Sequence, residues 1–127
     1  MNKFALRKLS QVKGRISFNV LEVDGKCQFL EFFAQIEEDG NLRKQLATVM
    51  ARMDQIANMK LLPVQKFRDI TPKKETVREF EIKAPDLRIY LIKEEGHIVI
   101  LGGKKNTQGD DIQKFRSIKQ RYLQSKK

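Results

Sequence analysis

Four kinds of side chain in one stretch of this sequence could together move a proton and steady a growing negative charge. Glu81, Arg88 and Tyr90 fall in two runs of period two, Val77 to Lys83 and Leu87 to Lys93. Lys104 and Lys105 close a third, apolar run, His97 to Lys104. Alternate side chains of a strand point to opposite faces. Glu79, Glu81 and Lys83 are therefore expected on one face with Phe80 and Ile82 on the other, and Arg88 and Tyr90 opposite Ile89 and Leu91. An open sheet face carrying carboxylates, a guanidinium and a phenol has a chemical reading. Cleaving RNA through its own 2′-hydroxyl needs a base for that proton, an acid for the leaving 5′ oxygen and cations for the charge on phosphorus. Glu81 could serve as the base, Tyr90 or a lysine as the acid, and Arg88 as the cation, with no metal required. Gly102-Gly103 before Lys104-Lys105 allows close backbone approach, so that a phosphate could sit there. Cross-strand acid and base pairs are also ordinary solubilising ladders, and spacing alone leaves both readings open.

The elements that must hold these residues follow from periodicity. Ala84-Pro85-Asp86 and Glu95-Gly96 are tight turns, which makes the three runs an antiparallel meander. Upstream, Ile16 to Val23 alternates as a strand and Asp24-Gly25 turns the chain. Cys27 to Glu38 is predicted helical through Phe29, Phe32, Phe33 and Ile36, and Asp39-Gly40 stops it. Leu42, Leu46, Val49, Met53 and Ile56 stripe a second helix, so the two form a helical hairpin. These stripes are assigned to the core. Pro63 and Pro72 bracket an irregular stretch containing Lys66, Phe67 and Arg68. Gly109 and Asp110 offer an N-cap to a last helix through Ile112, Phe115, Ile118 and Tyr122, with basic positions such as Lys119 on its other sides. Met1 to Arg15 has no firm period and is taken as a basic N-terminal extension, a tail or short helix. The expected class is α+β, one domain over 1–127.

Composition narrows the partners. Twenty-six Lys and Arg against 16 Asp and Glu give a formal charge of +10 on 127 residues, a positive field felt by polyanions. Nucleic acid is the first partner this suggests, ahead of a membrane surface. The lone Cys27 can make neither an intrachain disulfide nor a thiolate zinc site, which fits a reducing, cytoplasmic setting. Met1 to Lys8 lacks the apolar run of a signal peptide, and no later run is long enough to span a bilayer. His97, the one histidine, follows a turn and is expected to be an exposed bystander, since nothing beside it has metal-ligand spacing.

Taken together, the order of strand, helical hairpin, three antiparallel strands and C-terminal helix resembles the RelE/ParE/HigB toxin superfamily. The text Lys66-Phe67-Arg68, Arg78-Glu79-Phe80-Glu81-Ile82, Leu87-Arg88-Ile89-Tyr90 and Ile98 to Gln108, ending Lys104-Lys105-Asn106-Thr107-Gln108, is similar to HigB-like members especially. The resemblance covers Leu21 to Tyr122 and implies a type II toxin, an mRNA endoribonuclease acting at the ribosome. Such toxins are silenced by an antitoxin, here expected to be a small helix-turn-helix protein. It implies no cofactor. By position Arg88 matches the strand arginine at the scissile phosphate, and Lys104 or Lys105 the basic residue closing the site, with Gln108 in the loop after it. Lys66, Arg68, Lys83, Lys104 and Gln108 are the expected RNA contacts; Arg88, Glu81, Tyr90 and Lys105 the expected catalytic set. RelE proper carries lysines where this chain has Glu79 and Glu81. The C-terminal aromatic or histidine of several relatives has no clear match here, where Asp110 and Asp111 stand. Two alternatives stay open: a catalytically inactive RNA- or antitoxin-binding module of the same fold, and a gyrase-inhibiting toxin of the ParE kind.

Overall fold

The alternating runs and the three-and-four stripes become strands and helices in the computed structural model, which describes residues 2–127. In chain order these are β1 (Phe4–Lys8), β2 (Phe18–Val23), α1 (Gln28–Glu37), α2 (Arg43–Ala57), β3 (Phe67–Asp69), β4 (Glu79–Lys83), β5 (Leu87–Lys93), β6 (His97–Lys104) and α3 (Gln108–Ser125). A 3₁₀ turn over Lys105–Thr107 leads into α3. The class is α+β, with one six-stranded mixed sheet in the order β1-β2-β6-β5-β4-β3. Among the described residues only β2 and β6 pair in parallel; β3 to β6 form the antiparallel ribbon that the turns demanded.

The two helices of the hairpin bury Phe29, Phe32 and Ile36 from α1 and Leu46, Val49, Met53 and Ile56 from α2 against one sheet face. Asp39 sets the turn between them, its Oδ1 accepting the Asn41 and Leu42 amides at 2.9 and 3.1 Å. The opposite face is not open. Phe115, Ile118 and Tyr122 of α3 lie on Leu21, Tyr90, Ile92, Ile98, Ile100 and Leu101, a second core. Ile92 shares the phase of Arg88 and Tyr90, and a bulge between Tyr90 and Leu91 leaves Ile100 and Leu101 both under α3.

Three expectations are corrected here. The N-terminal extension is an edge strand: β1 pairs antiparallel with β2, and Leu9 and Val12 after it are buried. Of that segment, Met1 lies outside the described residues. The Gly102-Gly103 pair is not a phosphate seat, because both spaces are filled. A Cβ at Gly102 would meet the Phe32 ring at 2.5 Å, and one at Gly103 would overlap the Asp111 carboxylate. Gly102→Ala should therefore cost about 1–3 kcal/mol by overpacking, read as a lowered denaturant midpoint.

His97 is the third. It is 4 % exposed, stacked on Phe18 with centroids 5.0 Å apart, and edge-on to Phe67 and Phe80. Burial, helped by nearby Lys93, pulls its pKa down from 6.5 to about 4. The unfolded chain thus takes up the proton more readily. Stability from the neutral ring is complete above pH 6.5 and is lost as pH falls towards 4. The loss should reach about 3 kcal/mol, and a His97→Phe variant should not show it in urea midpoints measured across that window.

Candidate functional site

The register of the antiparallel ribbon sets side chains in rows across the face that α3 partly covers. Arg68 pairs with Glu81, Glu81 with Tyr90, and Tyr90 with Leu101. One step nearer the β4–β5 turn, Lys83 pairs with Arg88 and Arg88 with Gly103. The Lys83 amide donates to the Lys66 carbonyl at 2.9 Å, which continues that row to Lys66. Neighbouring strands lie ~4.8 Å apart, so Lys66, Lys83 and Arg88 stand side by side, with Glu81 4.0 Å from Lys83 and the Asp111 carboxylate over Gly103 at the far end of the row. Like charges directly opposed repel.

The row opens into a cleft of about 400 Å³, to which α2 adds Arg52 and the loop before β3 adds Gln65. Burial lowers the pKa of the Arg52 guanidinium. Arg88 is 8 % exposed and held: its Nη1 donates to the carbonyls of Ala84 at 2.6 Å and Leu87 at 2.9 Å, while Nε has no partner among the described residues. The Ala84-Pro85-Asp86 turn therefore aims the guanidinium.

Behind the cleft, the acid and the phenol that were expected on an open face are covered. Glu81 and Tyr90 are each 0 % exposed. Gln108, from the first turn of α3, donates its Nε2–H to Glu81 Oε2 at 2.5 Å, and Lys83 Nζ lies 4.0 Å from Oε1. Tyr90 stacks on Phe115 at 5.6 Å, and its hydroxyl has no partner among the described residues. Burial, then the negative charges of Glu81 and Asp111, raise its pKa, against the pull of Arg88. Its proton is accordingly hard to release. Thr107 tethers the same turn, its hydroxyl 2.6 Å from Asp111 Oδ2.

Lys66, Lys83 and Arg88 thus meet in one cleft, with Glu81 and Gln108 joined just behind it and Arg68 in register with Glu81. Lys104 and Lys105 do not join them. They line a separate hollow of about 440 Å³ with Leu42, Asp86 and Asn106. Sequence reasoning missed Arg52, whose place on α2 gives no hint that it reaches the β4–β5 turn. It also missed a buried ionic cluster, in which Glu79 accepts from Arg116 Nε at 2.9 Å and Lys119 Nζ at 2.8 Å. Lys119, expected among the basic outer positions of the helix, is buried and also donates to the Val77 carbonyl. That cluster clamps α3 to the sheet.

No group of His, Cys, Asp and Glu among the described residues could hold a metal, and no described helix is long and apolar enough to cross a membrane. No protein-family model matches this chain, and neither a curated protein nor a solved structure matches it.

Proposed function

We propose that this protein is an RNA-directed toxin of the RelE/HigB kind, which grips an RNA phosphate in the cleft of Arg52, Lys66, Lys83 and Arg88. The observation that carries this reading is the gathering of three neighbouring cations, Lys66, Lys83 and Arg88, with Arg52 in one cleft, more positive charge than the nearby Glu81 carboxylate offsets. The charge of +10 adds a long-range pull on a polyanion. In the cutting step Arg88 stabilises the charge that grows on the phosphoryl oxygens. Lys83 is the lysine placed to protonate the leaving 5′ oxygen, and Glu81 takes the 2′-hydroxyl proton once the first turn of α3 moves off it. The proposed setting is the ribosome, and the proposed partner a helix-turn-helix antitoxin encoded beside the toxin.

The burial of Glu81 and Tyr90 favours a second reading, a module of the same fold that binds RNA and does not cut it. Both readings place RNA in the cleft, which a salt titration tests. Each phosphate contact to single-stranded RNA contributes about 0.7 to the slope of log affinity against log salt. Lys66→Ala with Lys83→Ala should flatten that slope by about 1.4 in filter binding of a single-stranded oligonucleotide. An unchanged slope would place the RNA elsewhere. Cutting is separated from binding by the 5′ ends of cellular messages.

A further inference from the structure

The outer edge of β1 carries backbone groups that nothing among the described residues uses. The Leu9 amide donates to the Phe18 carbonyl at 2.9 Å and the Asp24 amide to the Lys3 carbonyl at 2.7 Å. Bonded residues alternate along an antiparallel ladder, so Lys3, Ala5, Arg7 and Leu9 turn their N–H and C=O groups towards β2. Phe4, Leu6 and Lys8 turn theirs away from the sheet. An edge of this kind is a template for another strand.

Side chains along the same edge say which strand it takes. On the α3 face Phe4 sits edge-on to Tyr122 at 5.6 Å, and next to it Leu6 is 46 % exposed, one of few large apolar residues left so open. On the other face Lys3 and Arg7 alternate around Ala5, and Arg7 is 3.7 Å from Glu22, the first acidic residue in the sequence. One face of an added strand therefore meets Phe4 and Leu6 with Lys8 beyond them, and its other face meets Lys3 and Arg7, the latter partly offset by Glu22, a net excess of cations along the edge.

We infer that the β1 edge docks an extended, acidic segment of another protein, alternating aliphatic and carboxylate side chains, by adding a seventh strand to the six-stranded sheet. A second copy of this chain is the poorer occupant, because each copy carries +10 and would bring its own Lys3, Arg7 and Lys8 to the seam. RNA is poorer too. The outward carbonyls of Phe4, Leu6 and Lys8 repel phosphate as much as their amides attract it, and Leu6 offers it nothing polar. The inference does not depend on RNA cleavage.

The probe is the synthetic peptide Glu-Val-Glu-Val-Glu-Val-Glu, titrated into the full ¹⁵N-labelled chain, with its Lys-Val counterpart and oligouridylate as controls. The expected result is slowed exchange and shifted resonances at the outward amides of Phe4, Leu6 and Lys8, and unchanged exchange at the inward amides of Ala5 and Arg7. Affinity should fall with salt and drop about tenfold or more in Leu6→Pro, which removes an outward donor and leaves the β1–β2 ladder intact. Should that variant fail to fold, Arg7→Glu with Lys8→Glu supplies the test, by moving the preference to the Lys-Val peptide. Absence of peptide binding, equal binding by these variants, protection centred elsewhere, chain dimerisation through this edge, or stronger protection of these amides by oligouridylate would each overturn the inference.

Discussion

Replacing Glu79 by alanine should destabilise the fold by about 3–5 kcal/mol, among the largest effects expected of any single substitution in this chain. The reason is what the change leaves behind. Lys119 Nζ has a side chain 3 % exposed and would keep only the Val77 carbonyl, while Arg116 would lose its Nε partner. An unpaired buried ammonium is far costlier than the pair is favourable. Glu79→Ala with Lys119→Met should therefore cost much less than the sum of the two single changes, a coupling that a double-mutant cycle in urea would measure. Additive costs would mean that the pair contributes no more than its packing. Because these bonds clamp α3 to the sheet, α3 amides should lose exchange protection in Glu79→Ala beyond what the global loss accounts for.

Arg88→Ala carries the largest expected effect on function. A preorganised cation aimed at the charge that develops in a transition state is worth on the order of 10²–10³ in rate. The backbone aims this one: its Nη1 is fixed by the Ala84 and Leu87 carbonyls of a tight turn. Removing the guanidinium also takes the donor from the Ala84 carbonyl, while the Leu87 carbonyl keeps the Ala84 amide at 3.0 Å, a stability loss of about 1–3 kcal/mol that a melt would read separately. Arg88→Lys keeps the charge and loses the fork, so it should fold better than Arg88→Ala and recover only part of the activity. Equal activity of all three proteins would remove Arg88 from the chemistry.

Much of this arrangement was legible in residue order. Period-two runs with Pro-Asp and Glu-Gly turns left an antiparallel ribbon as the simplest fold, and Phe80, Ile82, Ile89 and Leu91 sorted to the hairpin side as alternation requires. Sorting faces is different from knowing what covers them. Ile92, Ile98 and Ile100 marked the second face as apolar, since a strand that is hydrophobic on both sides is buried on both. Glu79 and Lys119 hid that signal, because each looks solvated until its partner, forty residues away, comes into contact. β1 was missed for the opposite reason: an edge strand leaves its side chains exposed, so its apolar phase is only Phe4 and Leu6 before Lys8 ends it, too short to declare a period. Of the site, Lys66, Lys83 and Arg88 could be read from the sequence, but their common row depends on the β3–β4 register. Short β3, three residues long, has too few positions to declare a period.

Inducing the wild-type protein and Arg88→Ala in growing cells and mapping the 5′ ends of cellular messages by primer extension is the most direct test of RNA cleavage in this cleft. Wild type should create new internal ends and arrest growth. Arg88→Ala should do neither while still sedimenting with ribosomes. Unchanged ends and unchanged growth on induction of the wild-type protein would contradict the assignment.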